Sequence, residues 1–208
     1  IGSKYKNKYV GTFGDCGVFS FFANKTISTG EGGMVTFKNK KVYNYAKKLR
    51  DHGMSTKKKY FHDFVGYNYR MTNIQAAIGL AQLENFKKIV KRKIQIAKIY
   101  KEKLRKYRNI LFQKDEKKSI NTFWAVGILI KYKNFSYPKI EKEMKESGVE
   151  IRNFFFPLNV QKIYKKYANK KKFITDEFCP IGISLPTFAS IKNSEINYIC
   201  KILIKNLN

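Results

Sequence analysis

One stretch, residues 18–35, constrains the fold of this chain more than any other. It opens with an apolar run of strand type at residues 18–22 and then reaches a lone lysine, Lys25. A glycine-rich turn at residues 30–33 returns the chain into a second apolar run at residues 34–37. The pattern predicts two short strands joined by a connection that carries the lysine.

The neighbours of Lys25 indicate a chemical role. Phe19, Phe21, Phe22 and Ile27 flank it in sequence, so we expect burial to disfavour its ammonium form and to lower its pKa. A neutral lysine amine can attack a carbonyl or a pyridoxal cofactor to form a Schiff base. The alternative is a lysine that only ends a strand, before glycines that form a β-turn.

Two nearby features favour a cofactor that carries a phosphate group. Ser20 lies five residues before the lysine and offers a hydroxyl. The glycine turn lets the backbone approach a bound group closely. The alternative for Ser20 is a strand serine whose hydroxyl is satisfied by the backbone.

The charge of the chain opens a second class of function. Lysine and arginine number 43 against 15 aspartate and glutamate, which gives a formal net charge of +28. Clustered cations bind nucleic acid, but these lysines are spread along the whole chain without an arginine-rich tract. We therefore interpret most of the charge as solvated surface and keep a basic nucleic-acid-binding module as the distant alternative.

The rarer residues exclude other classes. Cys16, Cys179 and Cys200 stand far apart, which indicates neither a disulfide framework nor a metal cluster, and His52 and His62 are too few for a typical catalytic zinc site. We expect no metal. Apolar runs stay shorter than the roughly 18 residues that span a bilayer, and a signal peptide is not evident. We therefore expect a cytoplasmic protein without a membrane segment.

Helix and strand signals predict the rest of the fold. Thr72 and Gln75 form a capping box that starts the longest helical pattern, which reaches Leu104 and can bend near its middle. Alternating elements after it predict a small α/β domain. The other predicted elements are a hairpin or connector at 1–12, a helix from Asn39 to Arg50 that Gly53 ends, a basic aromatic loop at 54–63, strands at 122–131 and 149–152, and helices at 136–147, 160–168 and 194–207.

Three blocks of sequence resemble, in the same order, the DegT/StrS family of pyridoxal-phosphate sugar aminotransferases. They are the lysine segment at residues 14–34, the block Leu-Arg-Asp-His-Gly-Met at 49–54, and the block at 65–77. The match continues more weakly through residues 150–157 and 183–186. The resemblance implies an α/β fold of type I.

The resemblance also implies a domain organisation. Residues 1–86 correspond to the C-terminal part of the large cofactor-binding domain, and residues 87–208 to a linking helix and a small C-terminal α/β domain. In the family, the stretch matching residues 1–12 follows a strand whose aspartate pairs with the pyridine nitrogen of the cofactor. We therefore expect this chain to be the C-terminal part of a larger enzyme, to bind the cofactor poorly and to be inactive alone.

Site roles follow from the resemblance. Lys25 would hold pyridoxal 5'-phosphate and shuttle a proton, and Ser20 would bind the cofactor phosphate. Asn68 matches an asparagine that reaches the cofactor phosphate of the other subunit, which implies a homodimer with shared active sites. Arg152 matches an arginine near the sugar nucleotide, although an ordinary surface arginine is the alternative. Arg70 is interpreted as structural, paired with a carboxylate.

The resemblance implies transfer of an amino group, expected from glutamate, to the 4-keto carbon of a nucleotide-linked deoxysugar. The first and third blocks are most similar to family members that act on GDP-4-keto-6-deoxymannose. A sister aminotransferase for a UDP- or dTDP-linked sugar is the nearer alternative. Asn153, Phe156 and Asn159 stand where the family commonly has proline, tyrosine and histidine, which leaves the particular sugar open.

Overall fold

The computed structural model describes residues 1–168 and 173–207. The chain divides into two compact units. The first unit consists of residues 1–90 together with 116–122, and the second consists of residues 91–115 together with the described residues from 123 onward. The functional division predicted between residues 86 and 87 stays a prediction.

The strands of the first unit form two small sheets. The predicted hairpin is confirmed as β1 (Lys4–Tyr5) and β2 (Lys8–Tyr9), and β6 (Ser119–Ile120) pairs with the other edge of β1. Strands β3 (Cys16–Ser20) and β4 (Gly33–Phe37) form an antiparallel ribbon that carries the lysine between them. Strand β3 ends two residues earlier than predicted, because the chain leaves the ribbon after Ser20.

Capping side chains begin both helices of the first unit. Helix α1 (Lys40–Leu49) begins where Asn39 Oδ1 accepts hydrogen bonds from the backbone of Lys41 (2.8 Å) and Val42 (3.2 Å). Helix α2 (Asn73–Glu84) begins at the predicted capping box. Thr72 Oγ1 accepts from Gln75 N at 3.3 Å, and Gln75 Oε1 accepts from Thr72 N at 3.0 Å.

The long helix predicted from Thr72 to Leu104 is instead two helices. Helix α2 ends at Asn85, whose φ of −93° and ψ of 7° lie outside the helical region. The Asn85 N–H donates back to Gln82 O at 3.1 Å. Helix α3 (Phe86–Leu104) then starts directly and carries the chain into the second unit.

The second unit confirms the predicted small α/β domain and contains more strands than the sequence indicated. The strands and further α-helices in its described residues are β5 (Ile110–Phe112), β7 (Val126–Ile130), β8 (Arg152–Asn153), β9 (Gly182–Leu185), α4 (Tyr137–Glu146), α5 (Ile174–Phe178) and α6 (Asn193–Leu207). The strands pair antiparallel in the order β5, β7, β9, β8.

Three predictions for this unit need correction. The strand expected at 122–131 shortens to β7, because Phe123 has a φ of +50° that interrupts extended backbone. The strand expected at 149–152 is the two-residue β8, since pairing with β9 is limited to Arg152 and Asn153. The helix expected at 160–168 is present only as 3-10 helix, in two short pieces at Leu158–Val160 and Lys162–Tyr167.

The apolar core lies in the second unit. Helices α3, α4 and α6 cover the sheet, and the deepest side chains include Ile96, Ile128, Met144 and Leu203, each 0% exposed. Among described residues of the first unit, Ile27 is the one fully buried large apolar side chain. Over residues 1–168 and 173–207, no helix has both the length and the apolar character needed to cross a bilayer.

Candidate active site

The lysine lies in a loop whose flanking residues, Phe21 and Thr29, are hydrogen-bonded to each other. We call residues 22–28 the lysine loop and the Phe21–Thr29 pair its neck. The N–H of Thr29 donates to Phe21 O at 2.8 Å, and the N–H of Phe21 donates to Gly32 O at 2.9 Å. Phe21, the residue immediately before the loop, is therefore hydrogen-bonded to the segment that follows the loop. Both ends of the loop are fixed in this way.

The structure brings Ser20 and Lys25 together around one residue, Phe22. The N–H of Lys25 donates to Phe22 O at 2.9 Å, and the N–H of Phe22 donates to Ser20 Oγ at 3.4 Å. Lys25 is half-buried and Ser20 is exposed. A hydroxyl that accepts one N–H keeps its own hydrogen for donation to another group. Ser20, which carries a hydroxyl, and Lys25, which carries an amine, are thus both bonded to the backbone of the same residue.

The predicted apolar surroundings of Lys25 are uneven. Ile27 is 2% exposed, Phe19 and Phe21 are half-buried, and Phe22 is 43% exposed. Packing is therefore tightest at the end of the loop, two residues after the lysine.

The turn that follows the loop is compact and polar. Thr29 is buried, and its Oγ1 donates to Glu31 O at 2.6 Å. The N–H of Gly30 donates to Ser28 Oγ at 3.1 Å. Gly32 has a φ of +148°, and a Cβ there would come within 2.5 Å of Thr29 Oγ1. Glycine is thus required where the chain turns back into β4.

Helix α2 holds this turn from one side, and sequence reasoning did not find the contact. Gln82 Oε1 accepts from Ser28 N at 3.1 Å, while Gln82 Nε2 donates to Ser28 O at 2.6 Å. Gln75 Nε2 donates to Glu31 O at 3.2 Å. The available signal was a pair of glutamines two helical turns apart on an otherwise apolar helix.

Asn68 lies on a different segment of the first unit. It forms an isolated antiparallel bridge with Asp51 and is exposed. Arg70 Nη1 donates to Asp51 Oδ1 at 3.3 Å, which confirms the carboxylate partner expected for Arg70, while its structural role stays a prediction. Desolvation works to raise the pKa of Asp51, but hydrogen bonds and charges from Arg70 and His52 lower it below its usual value.

Arg152 lies in the second unit, on the edge strand β8. It is exposed, and its Nη2 and Nε donate to Glu150 Oε1 at 3.0 and 3.2 Å. Of the residues that depart from the family pattern, Phe156 is 66% exposed. The side chain of Asn159 donates instead to Asp176 Oδ1 at 3.2 Å and ties its turn to α5.

Other candidate sites are absent from the described part of the chain. The cysteines are free, with Cys16 exposed, Cys179 half-buried and Cys200 buried. Over residues 1–168 and 173–207, no cluster of histidine, cysteine, aspartate and glutamate could hold a metal ion.

Comparison with known proteins identifies the relatives of this arrangement. Residues 1–204 match the DegT/DnrJ/EryC1/StrS aminotransferase family. The chain belongs to this family. Its similarity to the GDP-perosamine synthase of Escherichia coli O157:H7 is 42% identity over 203 residues, covering 97% of this chain and 54% of that protein. The GDP-perosamine synthase of Vibrio cholerae is 36% identical, with coverage of 99% and 56%.

The DegT/DnrJ/EryC1/StrS relatives also share the fold. PseC of Helicobacter pylori, an aminotransferase involved in the biosynthesis of pseudoaminic acid, superposes with a TM-score of 0.90 at 27% identity, covering 99% of this chain and 57% of that one. The predicted family, the type I fold class and pyridoxal phosphate as the family's cofactor are confirmed. The chain spans about half the length of the curated relatives it matches.

Proposed function

We propose that the protein carrying this chain is a pyridoxal-phosphate-dependent aminotransferase that acts on a nucleotide-linked 4-keto-6-deoxysugar. The observation that carries the proposal is the closed lysine loop, at whose start the Ser20 hydroxyl accepts from Phe22 N and the backbone N–H of Lys25 donates to Phe22 O. It occurs in a chain 42% identical to a GDP-perosamine synthase.

The residues of the loop fit the lysine side of a pyridoxal-phosphate site. The site needs an amine for the cofactor aldehyde and hydrogen-bond donors for its phosphate. Lys25 offers the amine and Ser20 offers a hydroxyl hydrogen. A Cβ added at Gly30 would meet nothing within 4 Å, so the turn leaves open space beside it.

In the proposed reaction, the bound cofactor supplies an electron sink that lets an amino group pass between two substrates. Lys25 Nζ would hold the cofactor and, when free, would move a proton to or from the reacting substrate carbon. Ser20 Oγ would donate a hydrogen bond to the cofactor phosphate.

Two substrates react in turn. Glutamate gives up its amino group and leaves as 2-oxoglutarate, and the 4-keto carbon of the sugar then receives that amino group in place of its oxygen. Asn68 would reach the cofactor phosphate of a second copy, so we propose a homodimer with shared sites, working in the cytoplasm. The aminated sugar nucleotide would feed surface polysaccharide synthesis.

GDP-4-keto-6-deoxymannose is the proposed sugar substrate, because the relatives of 42% and 36% identity are GDP-perosamine synthases. Arg152 would bind a phosphate of the nucleotide through its planar guanidinium, exchanging Glu150 for the ligand. A UDP-linked sugar is the second candidate, since a UDP-4-amino-4,6-dideoxy-N-acetyl-beta-L-altrosamine transaminase of Helicobacter pylori is 31% identical. Assay of GDP-, UDP- and dTDP-linked 4-keto sugars side by side distinguishes them.

The test is a matched pair of lysine variants in the full-length protein. Lys25→Ala should lower turnover of glutamate and the keto sugar at least about a thousandfold, because the amine both holds the cofactor and moves the proton. Lys47→Ala, which removes an exposed lysine of α1, should stay within about twofold. Turnover retained by Lys25→Ala would refute the proposal.

A further inference from the structure

We propose that Gln82 of helix α2 is a positioning residue for Lys25, acting by clamping the neck of the lysine loop. The inference rests on the proposed function only for the role of the Lys25 amine. The clamp itself consists of contacts within the first unit.

Helix α2 contacts the turn after the lysine loop through a polar face. Its half-buried residues are Gln75, Gly79 and Gln82, which lie on one face at intervals of four and three, and every other residue of the helix is exposed. A surface helix of a globular protein normally buries an apolar stripe. Here the face that touches the chain is instead made of two amides and a glycine.

Gln82 forms a two-point contact that only an amide can satisfy. Its oxygen accepts from Ser28 N at 3.1 Å and its nitrogen donates to Ser28 O at 2.6 Å, so both backbone groups of one residue are bound. The same nitrogen donates to Ile78 O at 3.0 Å, which anchors the side chain to its own helix. A carboxylate of the same shape could accept from Ser28 N but could not donate to Ser28 O.

The helix backbone comes close to the turn between the two glutamines. A Cβ added at Gly79 would lie 2.9 Å from Thr29 Cγ2. One helical turn earlier, Gln75 Nε2 donates to Glu31 O at 3.2 Å. Three successive points on one helix face therefore hold residues 28–31, which are the last residue of the lysine loop and the turn that follows it.

The clamp reaches Lys25 through the closed neck. Thr29 N is bonded to Phe21 O at 2.8 Å, so a fixed Ser28 and Thr29 fix the point at which the loop closes. Lys25 lies three residues before Ser28, with its N–H bonded to Phe22 O. A short loop whose two ends are fixed gives the Lys25 amine fewer positions to occupy. A reacting group that is positioned before the reaction starts lowers the activation barrier.

The first test uses hydrogen exchange and amine labelling of the full-length protein without added cofactor. Gln82→Ala should lower the protection of the Ser28 and Thr29 amides about tenfold, through loss of two hydrogen bonds. It should also change the rate and pH profile of Lys25 acylation, read by peptide mass spectrometry. Labelling of Lys139, on helix α4 of the second unit, should not change.

Two further variants distinguish a loss of Lys25 positioning from a general disruption of helix α2. Asn85→Ala removes an amide that donates to Ala81 O within the same helix, and should leave Lys25 labelling unchanged. Gln82→Glu keeps the acceptor for Ser28 N and should restore part of that amide's protection, so it also serves if Gln82→Ala does not fold. Lys25 labelling that is the same in both Gln82 variants and the unchanged chain would overturn the clamp.

The second test uses the full-length protein loaded with pyridoxal phosphate. Gln82→Ala should shift the midpoint of the pH titration of the cofactor's visible absorbance by about half a unit or more, because the held amine is displaced. An unchanged absorbance titration in that variant would overturn positioning of Lys25 by Gln82. If the Lys25→Ala variant binds the cofactor as well as the unchanged protein does, the proposed function is refuted. The hydrogen-exchange results would still decide whether Gln82 clamps the loop.

Discussion

The two units differ in what holds them together. In the second unit, side chains from three helices and a four-stranded sheet form a continuous core, and Ile96, Ile128 and Leu203 are each 0% exposed. In the first unit, Val65 and Ile74 remain 86% and 76% exposed. Its defined contacts are largely polar, among them the Asn39 cap and the glutamine contacts of α2.

This difference indicates which region of the chain is stabilised by its own residues. Burial of apolar side chains dominates folding stability, so the second unit holds most of the stabilisation found in the described chain. The first unit contains the lysine loop and depends on hydrogen bonds that each contribute only about 1 kcal/mol net. We therefore expect its loops to open more readily than the sheet of the second unit.

The largest expected effect comes from a cavity in the second unit. Ile128→Ala removes a fully buried side chain of β7 and should lower the free energy of unfolding by about 3 kcal/mol. Val18→Ala, at a 75% exposed position of β3, should change it by less than about 0.5 kcal/mol. The single tryptophan, Trp124, lies in the second unit, so its fluorescence during urea unfolding follows that unit.

Equal effects of these two substitutions on the tryptophan transition would contradict the difference in stabilisation between the two units. A loss near 3 kcal/mol for Ile128→Ala, in the range found for buried large-to-small changes, would support a self-contained core.

The next effect concerns a buried lysine in the core unit. Lys93 Nζ donates to Trp124 O at 2.9 Å and also to Thr187 O, and burial lowers the pKa of Lys93 to about 8. The unfolded chain keeps a value near 10.5. Between these two pH values the folded state binds fewer protons than the unfolded state, so the contribution of Lys93 to stability rises with pH.

Lys93→Met should remove that rise. Burial raises the pKa of Cys200 to about 11 and that of Tyr100 further, which opposes the trend but does so in both proteins. We expect the unfolding free energy of the unchanged chain, minus that of Lys93→Met, to grow by about 2 kcal/mol from pH 8 to pH 10. A flat difference in urea titrations would show that Lys93 titrates normally.

The smallest effect is expected at the surface of the first unit. The pKa of Asp51 is lowered by Arg70, so Arg70→Ala should raise it toward the usual aspartate value, as followed by NMR titration. Because the folded pKa is below the unfolded one, this carboxylate stabilises the fold above the unfolded pKa, and the contribution is lost as pH falls through the folded value. An unchanged Asp51 titration would contradict the assignment of Arg70 as its partner.

Local signals in the sequence predicted local structure well. The capping box of Thr72 and Gln75 and the Asn39 cap are each formed by residues three or fewer positions apart, so no distant partner is needed to recognise them. The pairing of Arg70 with a carboxylate was also expected. A bend near the middle of the long helix was expected, but not that one helix ends at Asn85, since apolar spacing continues across it into α3.

The other missed features depend on distant residues. Strands β5 and β9 are three and four residues long and become strands by pairing with β7. The Gln82 contact joins residues 54 positions apart. Sequence periodicity describes one element at a time, so it predicted the helix but not the turn that the helix holds.

The most direct test of the account is to identify the lysine that holds the cofactor. The full-length protein would be loaded with pyridoxal phosphate, reduced with borohydride to fix the cofactor to that lysine, and mapped by peptide mass spectrometry. The account predicts that the cofactor mass is found on Lys25, in the peptide that contains Ser20 and Phe22. Modification of another lysine with Lys25 left unmodified would contradict it.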